Sequence, residues 1–434
     1  MSTYVVLAYA APLAILWAIY ARSLRKRQRR TAMAHAHAVA EGLNEPASLH
    51  PIIDPGRCLG CGACVRACPE GQVIGLVIGK AQLIEGANCI GHGACKEACP
   101  FDAISLVFGT EKRGVQLPEV GADFQTNVPG IFIAGELGGM GLIRNAVEQG
   151  RRAVESIVPV ARQRAHDACD LVIIGAGPAG LAAGLSAKSA GLRFMIIEQE
   201  TFGGTVAHFP RGKIVMTQPI DLPLVGKMRF REVRKEKLLA FWADVLRRHP
   251  LPISYGERVE EVSPDERGGF VIRSTAGRRT AATVLLAVGR RGTPRKLDVP
   301  GEEQSKVVYR LVDPVQYRGK RVLVVGGGDS ALEAAAEIAE QPDVHVTLSY
   351  RGDAFSRAKA KNRKRVENAS QNGRFHVRFG SQVKSIGRDA VELDVDGVRE
   401  LIPNDAVIVC AGGVLPTAFL EGIGIRMETK HGTL

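Results

Sequence analysis

The sequence predicts a chain of the α/β class: two strand–turn–helix halves, a small α+β cysteine-rich unit, and one N-terminal transmembrane helix. Three observations carry this reading. Residues 169–200 and 320–350 each run from apolar strand to glycine-rich turn, helix and second strand. Residues 58–69 and 89–100 repeat one cysteine frame with the same closing proline. Residues 3–20 are nearly all apolar and carry no charge, reaching the ~18–20 residues with which a helix crosses a bilayer. A length of 434 residues leaves room for roughly two to three domains.

The apolar run is followed at once by RSLRKRQRR. A secretory signal peptide carries its positive charge before the apolar stretch. The reversed order here predicts a single-span anchor over 1–22, with everything from Arg22 onward in the cytoplasm. Tyr4, Trp17 and Tyr20 fall where interfacial aromatics sit. A cleaved targeting segment or an interfacial helix is the competing reading. The expected location is therefore the bacterial inner membrane, single-pass, with the catalytic part facing the cytoplasm. Residues 23–50 read as a basic linker; His35 and His37 within it lack further ligands and read as solvated.

The cysteine frame comes next. Residues 58–69 read C-L-G-C-G-A-C-V-R-A-C-P, and 89–100 read C-I-G-H-G-A-C-K-E-A-C-P, with His92 in the second place. Small Gly and Ala between the sulfurs let one loop wrap a cuboidal cluster, and Pro69 and Pro100 turn the chain away. Zinc sites usually show two pairs of ligands, and the doubled four-place frame argues against disulfides or core thiols. The frame resembles the bacterial two-cluster ferredoxins and predicts a ferredoxin-like domain over 51–109. The resemblance implies that Cys58, Cys61, Cys64 and Cys99 hold one 4Fe–4S cluster, and that Cys68, Cys89 and Cys95 serve the second. For that second site His92 as fourth ligand, a three-iron cluster and a vestigial site all stay open. The other two of nine cysteines, Cys169 and Cys410, sit in apolar strand contexts; this usage points to a reducing compartment.

CDLVIIGAGPAGLAAGLSAKSAGLRFMIIEQE (169–200) is a βαβ unit with G-x-G-x-x-G at 175–180. Gly175, Gly177 and Gly180 permit the turn and a close backbone approach, while Pro178 and Ala179 open the helix. A pyrophosphate then sits at the helix N-terminus. Glu198, about twenty residues downstream, is placed to accept from adenosine ribose hydroxyls. In 320–340, Gly326, Gly328, Asp329 and Ser330 form a second phosphate turn. The strand after it ends without an acid and offers Arg351 and then Arg357, which suits a 2′-phosphate and hence NADPH over NADH.

Over roughly 113–434 the motifs resemble the thioredoxin-reductase-like flavoproteins, which carry two Rossmann-like domains for FAD and NAD(P). T-N-V-P-G-I-F-I-A-G-E (126–136) and N-A-V-E-Q-G (145–150) resemble that family's last flavin-binding segment, and F-G-G-T (202–205) its Gly-Gly turn. The resemblance implies FAD bound by a domain over 166–293, with Gly203, Gly204 and Thr205, and by Gly135, Glu136, Asn145 and Ala146 of a segment over 110–160. It further implies an NAD(P)H-binding domain over 294–402 and a return into the FAD domain over 403–434. In the family the 110–160 segment ends the chain; here it precedes the first glycine-rich turn, which points to a circular permutation. The region VVYRLVDPVQYRGKRV (307–322) has no Cys-x-x-Cys pair. The chain is thus similar to cysteine-free relatives, the ferredoxin–NADP reductases of this fold and bacillithiol disulfide reductase-like enzymes.

The expected function is a membrane-anchored NADPH-dependent flavoprotein oxidoreductase passing electrons between NADPH, FAD and two iron–sulfur clusters. No catalytic acid or base is needed. The acceptor is a redox partner protein or a quinone-linked component, and a homodimer is an allowed assembly. The alternatives are a low-molecular-weight disulfide reductase and a redox sensor with little turnover. The net charge of +12 is largely local, in Arg22–Arg30 and around Arg351–Arg365, and comes with no recognition module, so nucleic acid is not expected as a partner.

Overall fold

The computed structural model describes residues 3–40, 43–46, 49–111, 113–139, 141–163, 169–216, 219–290, 292–356, 358–371 and 373–432. The chain divides into two units, Met1–Gly114 with His431–Leu434 and Val115–Lys430. The first unit opens with one continuous helix, Thr3–Ala40. Most of the expected linker 23–50 is therefore helical, because nothing between Arg22 and Ala40 is glycine or proline. Ala38 is buried, and the Leu43 N–H donates to the Ala38 carbonyl at 2.7 Å where the helix ends.

The expected bilayer span is corrected. Among the described residues no helix is long and apolar enough to cross a membrane. Pro12 lies inside this helix, and the basic residues that begin at Arg22 continue on the same helix to Ala40. The expected single-pass inner-membrane location is corrected with it; the Tyr4 side chain lies outside the described residues.

The rest of the first unit is small and built around its cysteines. Strands His50–Ile53 and Ile104–Val107 pair antiparallel, and Ile74–Val77 forms a hairpin with Lys80–Leu83. Short helices Ala63–Ala67 and Ala94–Glu97 follow the two cysteine loops. Cys58, Cys64 and Cys95 are buried with Val73, Ile74, Ala81, Ala103 and Ile104.

The second unit contains two parallel five-stranded sheets of like design. In the first the order is Ile253–Tyr255, Phe194–Glu198, Leu171–Ile174, Thr283–Leu286, Ile131–Ile133. Residues 171–174 and 284–286 read as unbroken apolar runs because both faces of these strands are covered. In the second the order is Val307–Val308, Ala406–Val409, Arg321–Val325, His345–Ser349, Phe375–Arg378. A three-stranded antiparallel sheet accompanies each, over 259–281 and 381–403. The boundary expected at 403 is displaced: Ala406–Val409 pairs with Arg321–Val325 and completes the second sheet before the chain returns. The return is made by helix Thr417–Gly422 and strand Met427–Lys430, with Leu420 and Ile425 buried in the core of the first sheet.

Candidate functional site

The first nucleotide turn is a cradle that side chains would fill. Gly175 adopts φ 107°, and a Cβ there would lie 2.6 Å from the Ala287 carbonyl oxygen. A Cβ on Gly180 would overlap the Gly175 carbonyl, so the helix Pro178–Ser189 starts flush against the turn. Gly177 caps that helix with no side-chain hydrogen bond, leaving the first N–H groups for a ligand. Glu198 is 8 % exposed; one carboxylate oxygen accepts from the Ala176 N–H at 2.7 Å and the other from the Glu200 N–H at 2.9 Å. It fixes the turn and keeps lone pairs for ribose hydroxyls.

The other residues expected at this site converge on the same turn. The Gly203 N–H donates to the Ala176 carbonyl at 2.8 Å, and a Cβ on Gly204 would lie 3.0 Å from the Gly177 Cα. Thr205 follows in the short 3-10 turn Gly204–Val206. From the 110–160 segment, a Cβ on Gly135 would meet those of Ala179 at 3.0 Å and Ala146 at 3.8 Å. Gly135 is held by its N–H donating to Gln149 Oε1 at 2.8 Å. Asn145 and Ala146 lie in the first turns of helix Ile143–Gln163, which crosses helix Pro178–Ser189 with Gly150 against Ala179. Glu136 opens the next 3-10 turn, half-buried. Residues separated by up to seventy positions are thus gathered at one cradle able to take a dinucleotide pyrophosphate and its attached rings.

The second turn has the same build. Gly326 has φ 141° and Gly328 caps helix Asp329–Ala339 without a side-chain bond, with open space at its Cα. Ser330 is exposed in the first turn of that helix. Asp329 is committed elsewhere: its Oδ1 accepts from the Lys359 N–H at 2.8 Å and from Asn362 Nδ2 at 2.7 Å. Asn362 Nδ2 also donates to Glu333 Oε1 at 3.1 Å, and Glu333 pairs with Lys213 of the first half. Arg351 is exposed just past strand His345–Ser349; Arg357 lies outside the described residues. Two contacts had no sequence signal. The Tyr350 ring lies over Gly327, where a Cβ would collide with it, and stacks on Phe355 with centroids 5.7 Å apart.

In the first unit Cys58, Cys61, Cys64 and Cys99 line one pocket with Gly60, Gly62, Ala63 and Ile53. The Ala81 N–H points at Cys58 Sγ at 3.4 Å, and Lys80 Nζ donates to the Cys58 carbonyl at 2.6 Å. Cys68, Cys89 and Cys95 interact electrostatically with one another and form a second group. Burial pushes the Cys64, Cys68 and Cys89 thiols up and Cys95 up to about 11. Ligation therefore has to displace protons from these thiols. Among the described residues no His, Cys, Asp or Glu group is gathered tightly enough for a single ion. A cubane is ligated at separate corners by several thiolates, a donor set unlike that of a single ion. His92 stands in the second cysteine loop; its Nε2 is buried with no hydrogen-bond partner among the described residues, and burial lowers its pKa. All nine cysteines are free of disulfides.

The sequence profile of the pyridine nucleotide-disulphide oxidoreductase family matches residues 172–433. The chain belongs to that family. A second profile, the 4Fe-4S dicluster domain, matches residues 50–100. The oxidoreductase is 28 % identical over 267 residues to bacilliredoxin reductase Bdr of Bacillus subtilis, covering 60 % of this chain and 82 % of that one. It is 30 % identical over 282 residues to a ferredoxin–NADP reductase of Thermus thermophilus, covering 61 % and 79 %. Among solved structures it resembles the bacillithiol disulfide reductase Bdr of Staphylococcus aureus, with TM-score 0.52, 26 % identity, and 59 % and 80 % of the two chains covered. This oxidoreductase uses FAD, NADP and iron–sulfur clusters.

Proposed function

We propose that the chain is an NADPH-dependent oxidoreductase exchanging electrons between a nicotinamide nucleotide and ferredoxin-type clusters, and from these to a protein or small-molecule acceptor. The observation that carries it is a cysteine module with two ligand groups on the same chain as two dinucleotide cradles, where no cysteine pair stands in 307–322. When bound, a flavin converts two-electron hydride chemistry into the single-electron chemistry of iron–sulfur clusters. Within the chain, Gly175–Gly180 would present helix N–H groups to the FAD pyrophosphate, with Glu198 holding the turn and reaching the ribose. Gly203, Gly204, Thr205, Gly135, Glu136, Asn145 and Ala146 would close around the rest of it. Gly326, Gly328 and Ser330 would present the second helix to NADPH, with Arg351 on the 2′-phosphate. Asp329 holds Lys359 and Asn362 in place behind that turn.

The circular permutation belongs to this reading. Strand Met427–Lys430 pairs antiparallel with Val115–Pro118, Lys430 opposite Val115. That is the register of a hairpin cut open at its tip, and the 110–160 segment would follow the C-terminal strand in the uncut order.

A second reading, reduction of a low-molecular-weight disulfide, is favoured by the likeness to bacillithiol disulfide reductases. One anaerobic experiment separates the two. NADPH is added to the purified protein while flavin absorbance and electron paramagnetic resonance are followed together. Flavin bleaching with reduced-cluster signals is the expected result. Bleaching with clusters that stay oxidised yet accept electrons from dithionite, together with NADPH turnover on a disulfide, would put the second reading ahead.

A further inference from the structure

We infer that His92 is the fourth ligand of the second cluster, which is held by Cys68, Cys89, Cys95 and the His92 Nε2. The inference rests on the cluster content of the first unit and deepens it. The two cysteine loops share one backbone. Gly60 and Gly62 have φ 68° and 71°, and their counterparts Gly91 and Gly93 have φ 71° and 83°. Gly62 caps helix Ala63–Ala67, and Gly93 caps helix Ala94–Glu97 in the same left-handed conformation. His92 therefore stands between two left-handed glycines as Cys61 does, and Cys61 lines the pocket of Cys58, Cys64 and Cys99. The frame places a donor at this position; only the donor atom differs.

The environment of the imidazole points the same way. The Nε2 atom is buried and has no hydrogen-bond partner among the described residues, although a ring nitrogen taken from water is costly to leave unmatched. Glu70 lies within electrostatic range of His92, Cys68 and Cys89 alike. Ligation through Nε2 uses the lone pair of a neutral imidazole and leaves the proton on Nδ1. A thiol at this position would first have to lose its proton. Replacing a thiolate by a neutral nitrogen removes one negative charge from the site and raises its reduction potential. The unit then holds two unequal clusters: an all-thiolate one on Cys58, Cys61, Cys64 and Cys99, and a higher-potential one beside His92.

The test uses the full chain, purified anaerobically and reduced with dithionite. Electron–nuclear double resonance should show a strongly coupled nitrogen on one cluster, and 15N-histidine labelling should change that pattern. In His92→Cys the nitrogen coupling should vanish, the iron content should hold, and the higher of the two midpoint potentials should fall while the lower one stays. His92→Ala should lose the coupling and iron from the second site. Absence of histidine nitrogen coupling in the wild type overturns the assignment, whether the iron count shows a three-iron cluster or an empty site. Coupling that persists in His92→Cys overturns it as well. Flavin bleaching by NADPH is followed in the same samples. A wild type that bleaches normally without nitrogen coupling sinks only the ligand, whereas failure to bleach counts against the proposed function.

Discussion

Glu257 illustrates how a single buried charge ties the first half together. Its side chain is 2 % exposed, and its two oxygens take Arg279 Nη2 at 2.8 Å and Nε at 3.1 Å, with Ser274 Oγ at 2.5 Å. Its N–H donates to the Glu198 carbonyl at 3.0 Å, so the pair steadies the end of the strand that carries the ribose-facing acid. The hydrogen bond from Arg279, outweighing burial, holds the carboxyl down at about 2, against an ordinary 4.5. A depressed folded-state pKa contributes stability that is present above the unfolded value and lost as the pH falls. Glu257→Gln should cost on the order of 2 kcal/mol at neutral pH, because it leaves Arg279 without its charge partner. It should also flatten the loss of stability between pH 4.5 and about 2. Denaturant melts across that range check both; an unchanged acid limb would mean the ion pair contributes nothing.

At the scale of elements, the crossing of helices Ile143–Gln163 and Pro178–Ser189 brings the 110–160 segment to the nucleotide turn. The first of these buries Ala146, Val147, Gly150, Ala153, Val154, Ile157 and Ala161, the three-and-four spacing of one apolar face. The second is buried almost all round with small residues, so the two backbones come close. Gly150 marks the closest approach: a Cβ there would overlap the Ala179 carbonyl. Gly150→Val should therefore push the helices apart, destabilise the unit by roughly 1–3 kcal/mol through overpacking, and reduce the FAD retained on purification. Flavin content and thermal melts check this. Full FAD content with wild-type stability would show that the crossing does not shape the cradle.

At the scale of the molecule, the cut-open hairpin of Met427–Lys430 and Val115–Pro118 makes the permutation testable. A rearranged chain would run from Cys169 to Lys430, through a short Gly-rich turn, and from Val115 to Gln163, without the first unit. It should bind FAD in stoichiometric amount and be bleached by NADPH, since both sheets and both glycine-rich turns lie in this unit. Circular rearrangement at such exposed ends is well tolerated. A rearranged chain that folds by circular dichroism yet retains no FAD would refute the proposed role of the 110–160 segment.

The cysteine frames and both glycine-rich turns were legible in the sequence because their geometry is local. A ligand loop or a strand–turn–helix start is set by residues a few positions apart, and the required Gly, Cys and acid are visible at those spacings. Other features depend on residues far apart in the chain. Whether Asp329 faces a nucleotide or holds Lys359 and Asn362 was decided by how helix Ala360–Ser370 packs on helix Asp329–Ala339. The placement of Tyr350 over Gly327, and of Ala406–Val409 inside the second sheet, likewise followed from packing. So did the outcome for the basic stretch after Arg22. Its composition reads as a tether, and it is helical because it continues a helix whose far end docks through buried Ala38. Local spacing determined which chemistry the chain can hold; the packing of distant segments, which no spacing encodes, decided which side chains remain free to perform it.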